Sequence, residues 1–301
     1  MTEVASNNQA RVGIVPYELR YHKDLASITL DKLIWPGQVA DINMPSNACI
    51  ADMDENDYVV VYPSSTRLLN GFGGVKCKVV LLMAEPLAIQ YRYYWLIWML
   101  RYKFAFILCR YKQYANKYNN VIHFVSAQSW VAGNSVNFSA EKKHICSIIS
   151  SGKTDLVGHK LRHQVIAWLK YESYEVDVLG GGYNPFEYKQ EGLLPYTYSV
   201  VIENVQELDY FTEKLLDCFL CGTIPIYWGA PNIGHYFNVN GMFICNNLAQ
   251  LQGTIKFLLK VNFGSKPLVD NDIIERNRNA ALAYGNLPQR ITDTISKINR
   301  P

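Results

Sequence analysis

An α/β fold of two Rossmann-like lobes facing a central cleft is what this sequence predicts, and three observations predict it. Short apolar runs rich in β-branched residues recur along the chain, helical composition fills the gaps between them, and a polar, loop-like stretch divides the runs into two sets.

The first set lies at residues 11–15, 58–62, 76–83, 104–108 and 121–125, and each run has the length and composition of a buried strand. The stretch QSWVAGNSVNFSAE, at 128–141, then shifts to linker composition, so the first lobe is expected over residues 1–140 and the second over 141–301. The second set lies at 143–149, 175–179, 198–202, 224–227 and 242–245. Beyond residue 266 the composition is helical, including NDIIERNRNAALAYG, and the last helix can pack back on the first lobe.

Bulk composition excludes several classes. A chain of 301 residues that is 49% hydrophobic and 18% charged is globular. Its 29 basic and 26 acidic residues leave a net charge of +3, so no nucleic-acid partner is indicated. Seven cysteines, an odd number scattered through apolar runs, read as buried thiols of a reducing compartment, which makes the expected location cytoplasmic. The opening thirty residues hold no apolar signal core. The apolar run at 93–108 is interrupted by Arg101 and Lys103. It falls short of the ~20 residues a span requires, so no transmembrane anchor is expected.

One unit carries the expected chemistry. Residues 198–203 read as a strand, 204–210 as a polar loop, and 212–221 as a helix with Leu215, Leu216, Phe219 and Leu220 on one face. Asp209 or Thr212 can cap that helix, and Gly222 stands where a left-handed terminator belongs. Ligands of open parallel sheets bind beyond the carboxyl ends of strands, where a helix N-terminus offers unpaired N–H groups to phosphate. Glu213 and Lys214 stand in that first turn; a lysine answers the charge of a diphosphate, and a glutamate accepts from ribose hydroxyls.

The run VVIENVQELDYFTEKLLDCFLCGTIPIYWGAPNI resembles the signature of the family 10 α1,3/α1,4-fucosyltransferases, in which F-E-N-S, a short loop and D-Y-x-T-E-K precede G-x-x-P-V-x-x-G. Weaker similarity covers KKHICSIISS, HKLRHQVIAWLK and EVDVLGGG, and in the first half VVLLMAEPLAI. The resemblance implies a GT-B type glycosyltransferase whose donor pocket is lined by Asn204 and Tyr210. It further implies that Glu213 binds the ribose, that Lys214 and Arg162 neutralise the diphosphate, and that Gly182 belongs to the glycine turn of the donor site. The sequence departs from the pattern after Asn204, where Val205 and then Gln206, Glu207 and Leu208 replace a small hydroxyl residue.

An inverting transfer follows from the resemblance: an acceptor hydroxyl attacks the anomeric carbon while the nucleoside diphosphate leaves from the opposite face. Glu85 is the expected general base, because the strand KVVLLMA ends just before it and Pro86 stops the strand, leaving the carboxylate at the carboxyl rim. With Lys214 and Arg162 on the leaving group, no metal cofactor is obligatory. Asp52 and Asp54 form a D-x-D that precedes its strand and reads as an acidic turn. Cys218 and Cys221 form a lone C-x-x-C within a helix and read as core thiols.

The aromatic and basic segment from Tyr91 to Lys112 reads mainly as core. Any exposed part of it could stack sugars or touch anionic surfaces, with acceptor contacts sought at Tyr91 to Trp95.

The expected substrates are GDP-fucose as donor and an oligosaccharide or glycoprotein as acceptor. Two alternatives remain open: the same fold using a UDP-sugar such as UDP-xylose, and a non-catalytic sugar- or nucleotide-binding module.

Overall fold

A computed structural model describes residues 10–37, 45, 47–131, 136–138, 141–261 and 268–298. Of the expected linker, residues 132–135, 139 and 140 lie outside the described residues, as do 262–267. The chain divides into two compact units, Met1–Ser126 with Pro288–Pro301, and Ala127–Leu287.

The first unit is built on β1 (Val12–Ile14), β2 (Tyr58–Val61), β3 (Lys78–Met83), β4 (Phe106–Cys109) and β5 (Val121–His123). These strands pair in parallel in their chain order. Parallel sheets are covered on both faces, which is why β2 and β3 are continuous apolar runs: Val59, Val60, Leu82 and Met83 are all fully buried. The crossovers carry α1 (Ser65–Asn70), α2 (Leu87–Leu100) and α3 (Lys112–Lys117). Asp57 locks the edge of the sheet by accepting from the Arg11 backbone N–H and from its Nε, each at 2.9 Å.

The second unit holds β6 (His144–Ile149), β7 (Asp177–Leu179), β8 (Tyr196–Ile202), β9 (Ile224–Trp228) and β10 (Phe243–Ile244). Its helices are α4 (Val157–Tyr171), α5 (Glu213–Leu220), α6 (Leu248–Val261) and α7 (Asn271–Gly285). The parallel order β10-β9-β8-β6-β7 reverses direction between β6 and β8. That reversal leaves a crevice beyond the carboxyl ends of those two strands, the place where open α/β sheets bind ligands.

Helix α5 has the predicted span and a buried face of Leu215, Leu216, Phe219 and Leu220. Thr212 is its cap, accepting from the Lys214 N–H, and Gly222 terminates it at φ +61°. Asp209 is bound elsewhere: its carboxylate accepts from Asn232 at 2.6 Å and from the Tyr236 hydroxyl. Helix α7 packs on α5, and its buried Asn277 exchanges hydrogen bonds with the backbone of Asn238. The final helix, α8 (Leu287–Ile298), runs into the first unit, where Arg290 donates to the Val125 carbonyl at 2.7 Å and covers the ring of Phe124.

All seven cysteines are free thiols, and Cys218 and Cys221 are fully buried. Burial pushes the Cys221 thiol up to about 12, so this pair stays protonated in the core. The expectation of core packing for the segment around α2 holds for one face only. Tyr94 and Ile97 are buried, whereas Tyr91 and Trp95 are 60% and 69% exposed.

Candidate functional site

The crevice of the second unit is assembled from three turns. Strand β8 delivers Ile202, Glu203 and Asn204 to its carboxyl end, and α4 starts directly against them. Gly158 lies so close that a Cβ would stand 1.7 Å from the Glu203 carbonyl, and its N–H donates to the Asn204 carbonyl at 2.9 Å. Only a residue without a side chain lets the helix enter at that depth. One turn later α4 presents Arg162, 4% exposed, whose Nε donates to the Ile202 carbonyl at 3.1 Å and whose Nη2 donates to Asn204 Oδ1 at 2.7 Å. Burial lowers the Arg162 pKa, while Glu203, Tyr210 and Glu213 act in the opposite sense, which places all three within electrostatic reach. Arginine remains charged under such a shift.

The start of α5 closes the other side. Glu203, with no exposed surface, accepts from the Thr212 N–H at 2.8 Å and from the Thr212 hydroxyl at 2.7 Å. Lys214 Nζ stands 3.7 Å from Glu203 Oε2, 3.0 Å from Glu213 Oε1 and 3.1 Å from Thr212 Oγ1. Burial pulls the Lys214 ammonium down, but the two carboxylates outweigh it and hold the pKa above its ordinary value. Glu213 is the mirror case: burial pushes it up, and the Lys214 and Lys189 charges bring it below the usual carboxylate range. Glu203 has its pKa raised by burial, with the nearby Lys214 opposing. Behind the turn, Phe211 packs its ring against Tyr236, Phe237 and Tyr284 at centroid distances of 5.0, 5.4 and 5.2 Å, so the helix start is anchored in a rigid aromatic cluster.

The structure therefore brings together Arg162, Asn204, Tyr210, Glu213 and Lys214. Gly182 lies on the same carboxyl side, at the end of β7, where a Cβ would stand 2.7 Å from the Gly152 nitrogen of the turn after β6. Its neighbour Tyr183 meets His163 of α4 at 2.8 Å. Two residues escaped the sequence reading. Glu203 looked like the end of a strand, and nothing in a lone acidic residue signals full burial. Lys189, which donates to the Glu213 carbonyl at 3.3 Å and pairs with the buried Asp217 at 2.7 Å, opens a short 3-10 helix (Lys189–Gly192) without any recognisable motif.

Glu85 stands in the first unit, in the bend just after β3. The bend is fixed through its backbone: Tyr94 donates to the Glu85 carbonyl at 2.9 Å, Ser126 to the Ala84 carbonyl at 3.2 Å, and the Leu87 N–H donates to the Tyr111 hydroxyl at 2.8 Å. Arg110 also donates to the Ala84 carbonyl. The Glu85 charge reaches Tyr17 and Tyr62, whose rings meet edge to face at 5.0 Å. Burial first, then the neighbouring Tyr17, Glu18 and Glu85, push the Tyr62 phenol up to about 12, so it stays protonated.

Among the described residues, no group of three or more His, Cys, Asp and Glu side chains gathers for a metal. Asp52 instead accepts from the Cys49 N–H at 2.9 Å, and Asp54 from Asn56 at 2.9 Å, which makes the D-x-D an acidic turn. No helix among the described residues is long and apolar enough to cross a membrane.

Residues 138–262 match the family described as glycosyltransferase family 10 (fucosyltransferase), C-terminal part. An α-(1,3)-fucosyltransferase FucT of Helicobacter pylori is 44% identical over 57 residues, covering 19% of this chain and 12% of that protein. An α-(1,3)-fucosyltransferase B of Drosophila melanogaster is 28% identical over 125 residues, covering 41% of this chain and 27% of that protein. The matched stretches thus span much less than two thirds of these relatives. A solved glycosyltransferase from Rickettsia africae shares the fold at 12% identity and TM-score 0.51, over 80% of this chain and 76% of that one. The α/β fold with two Rossmann-like lobes of GT-B type, expected from the sequence, is the one found.

Proposed function

We propose that this chain is a fucosyltransferase that moves fucose from GDP-fucose to a hydroxyl of an oligosaccharide or glycoprotein with inversion at the anomeric carbon. The observation that carries the reading is the crevice at the β6/β8 reversal. A buried arginine, a lysine and a helix N-terminus meet there around Asn204, a set that suits a nucleoside diphosphate. The family match supports the donor, because it covers the same segment.

In this reading Lys214 and Arg162 take up the charge that grows on the leaving diphosphate, with the N–H groups of the α5 start beside them. Glu213 accepts from the ribose hydroxyls, Tyr210 and Asn204 line the pocket, and Gly182 lets the turn after β7 come close to the ligand. Glu85 accepts the proton of the attacking acceptor hydroxyl. No metal is obligatory, since protein cations do this work.

Thermal unfolding with GDP, GDP-fucose, UDP and UDP-xylose tests the proposal. A selective ligand at 100 times its Kd adds about 2.7 kcal/mol of stability. GDP and GDP-fucose are expected to give that shift, and UDP compounds at equal concentration a much smaller one. An equal response to UDP and UDP-xylose would reassign the donor, and no response to any of the four would remove the transferase reading.

A further inference from the structure

We propose that the outward face of α2 docks this chain onto an anionic lipid surface. A helix on the outside of a globular protein normally carries polar side chains away from the core. Among the 14 residues of α2 only Arg92 is charged. The inward positions Tyr94 and Ile97 are buried. Tyr91, Trp95 and Met99, at i, i+4 and i+8, share the outward face and are 60%, 69% and 43% exposed. Tyr102 continues the stripe past the helix end at 75%. Bulky apolar side chains left in a continuous exposed row mark a surface that something covers.

The charge pattern selects the occupant. From residue 87 to residue 140 the sequence contains no Asp or Glu, but it holds five bases besides the buried Arg110: Arg92, Arg101, Lys103, Lys112 and Lys117. Arg92 is exposed beside Tyr91, to whose hydroxyl it donates at 3.0 Å. At the other end of the helix the Arg101 guanidinium and the Lys117 ammonium lie 4.7 and 5.3 Å from the centre of the Tyr118 ring. Tryptophan and tyrosine at the level of lipid headgroups, with arginine and lysine around them, are what an interfacial helix presents to anionic lipid. A second copy of this chain would bring basic patch to basic patch with no carboxylate in the stretch to meet them. A sugar would need polar side chains to read its hydroxyls, and Gln90, the one carboxamide of the helix, is buried. At 14 residues α2 falls short of the ~20 that a span requires, so this face would lie on the lipid surface and not cross it.

Co-sedimentation of the full chain with vesicles tests this without reference to enzymatic activity. Vesicles of phosphatidylcholine with phosphatidylglycerol are expected to capture the protein, pure phosphatidylcholine to capture little, and rising salt to release it. Tyr91→Ser with Trp95→Ser should lower the apparent partition constant on the order of tenfold or more. Arg92→Glu should weaken capture on anionic vesicles by roughly tenfold. Tyr171→Ser, which removes an aromatic that is 86% exposed on α4, should change nothing. If the double variant loses its cooperative melt, Arg92→Glu alone decides. Equal capture by both vesicles, capture by neither, or variants that bind as the parent does would overturn the proposal. So would a dimer in sedimentation velocity that the Trp95 variant abolishes.

Discussion

Individual side chains carry the two sharpest expectations. Glu85→Gln removes a base but keeps the shape of the bend, whose hydrogen bonds run through backbone carbonyls. Turnover should fall by ~10²–10⁴-fold with GDP affinity unchanged, read by kcat against calorimetric binding. Full activity in that variant would remove Glu85 from the reaction. Asp57 gives a pH expectation. Burial alone would push its carboxyl up, but bonds from the Arg11 side chain, the Arg11 N–H and the Asp54 N–H outweigh this and hold it below the ordinary 3.8. A carboxyl held low in the folded state contributes stability that is fully present above its unfolded value and fades as pH falls through the folded one. Asp57→Asn should therefore be less stable than the parent by about 1.5–3 kcal/mol at neutral pH. The gap should close in urea titrations as pH drops below 3.8. A gap of constant size would show that the charge on Asp57 contributes nothing.

For the elements, the critical geometry is the entry of α4 under β8. Gly158→Ala puts a methyl 1.7 Å from a backbone carbonyl that has nowhere to go, so the helix must lift. Overpacking of this kind costs typically about 1–3 kcal/mol. Arg162, on the same helix, should lose its reach to Asn204, so the thermal response to GDP should shrink more than stability does. An unchanged response would mean that α4 does not set the arginine. The strands themselves were legible: the ten described strands all coincide with apolar runs read from the sequence, because parallel strands buried on both faces cannot hide their composition. Caps were harder. Asp209 and Thr212 are both capping residues by type, and only the position of Asn232, 23 residues away, decides which of them is engaged elsewhere. Glu203 was illegible for a related reason: its role depends on a threonine nine residues on and a lysine beyond it, not on its own neighbours in sequence.

Across the whole molecule, strand order was beyond the sequence. The composition of β6, β7 and β8 is the same whichever way they pair, yet the reversal between β6 and β8 is what opens a crevice at Asn204. The first sheet, in plain chain order, has no such reversal among its described strands. The last helix was expected to be able to pack back on the first lobe, but the point of division, between Leu287 and Pro288, is set only by the structure. A chain ending at residue 286 should therefore lose first-unit stability. Burying Ile291 and Ile295, both under 2% exposed, contributes about 3–6 kcal/mol as an upper bound. Hydrogen exchange should accelerate in Val121–His123 and stay slow in Tyr196–Ile202. Equal acceleration in both would mean that α8 stabilises the molecule as a whole.

The return of α8 also constrains biosynthesis. The first unit cannot be finished when residue 126 leaves the ribosome, since its last piece begins at Pro288. At translation speeds of ~5–20 residues per second the interval lasts roughly 8–30 s. Throughout it the nascent chain carries a first unit that lacks α8 while the later unit is made and folds as one continuous segment, so chaperone demand should fall on the part synthesised first.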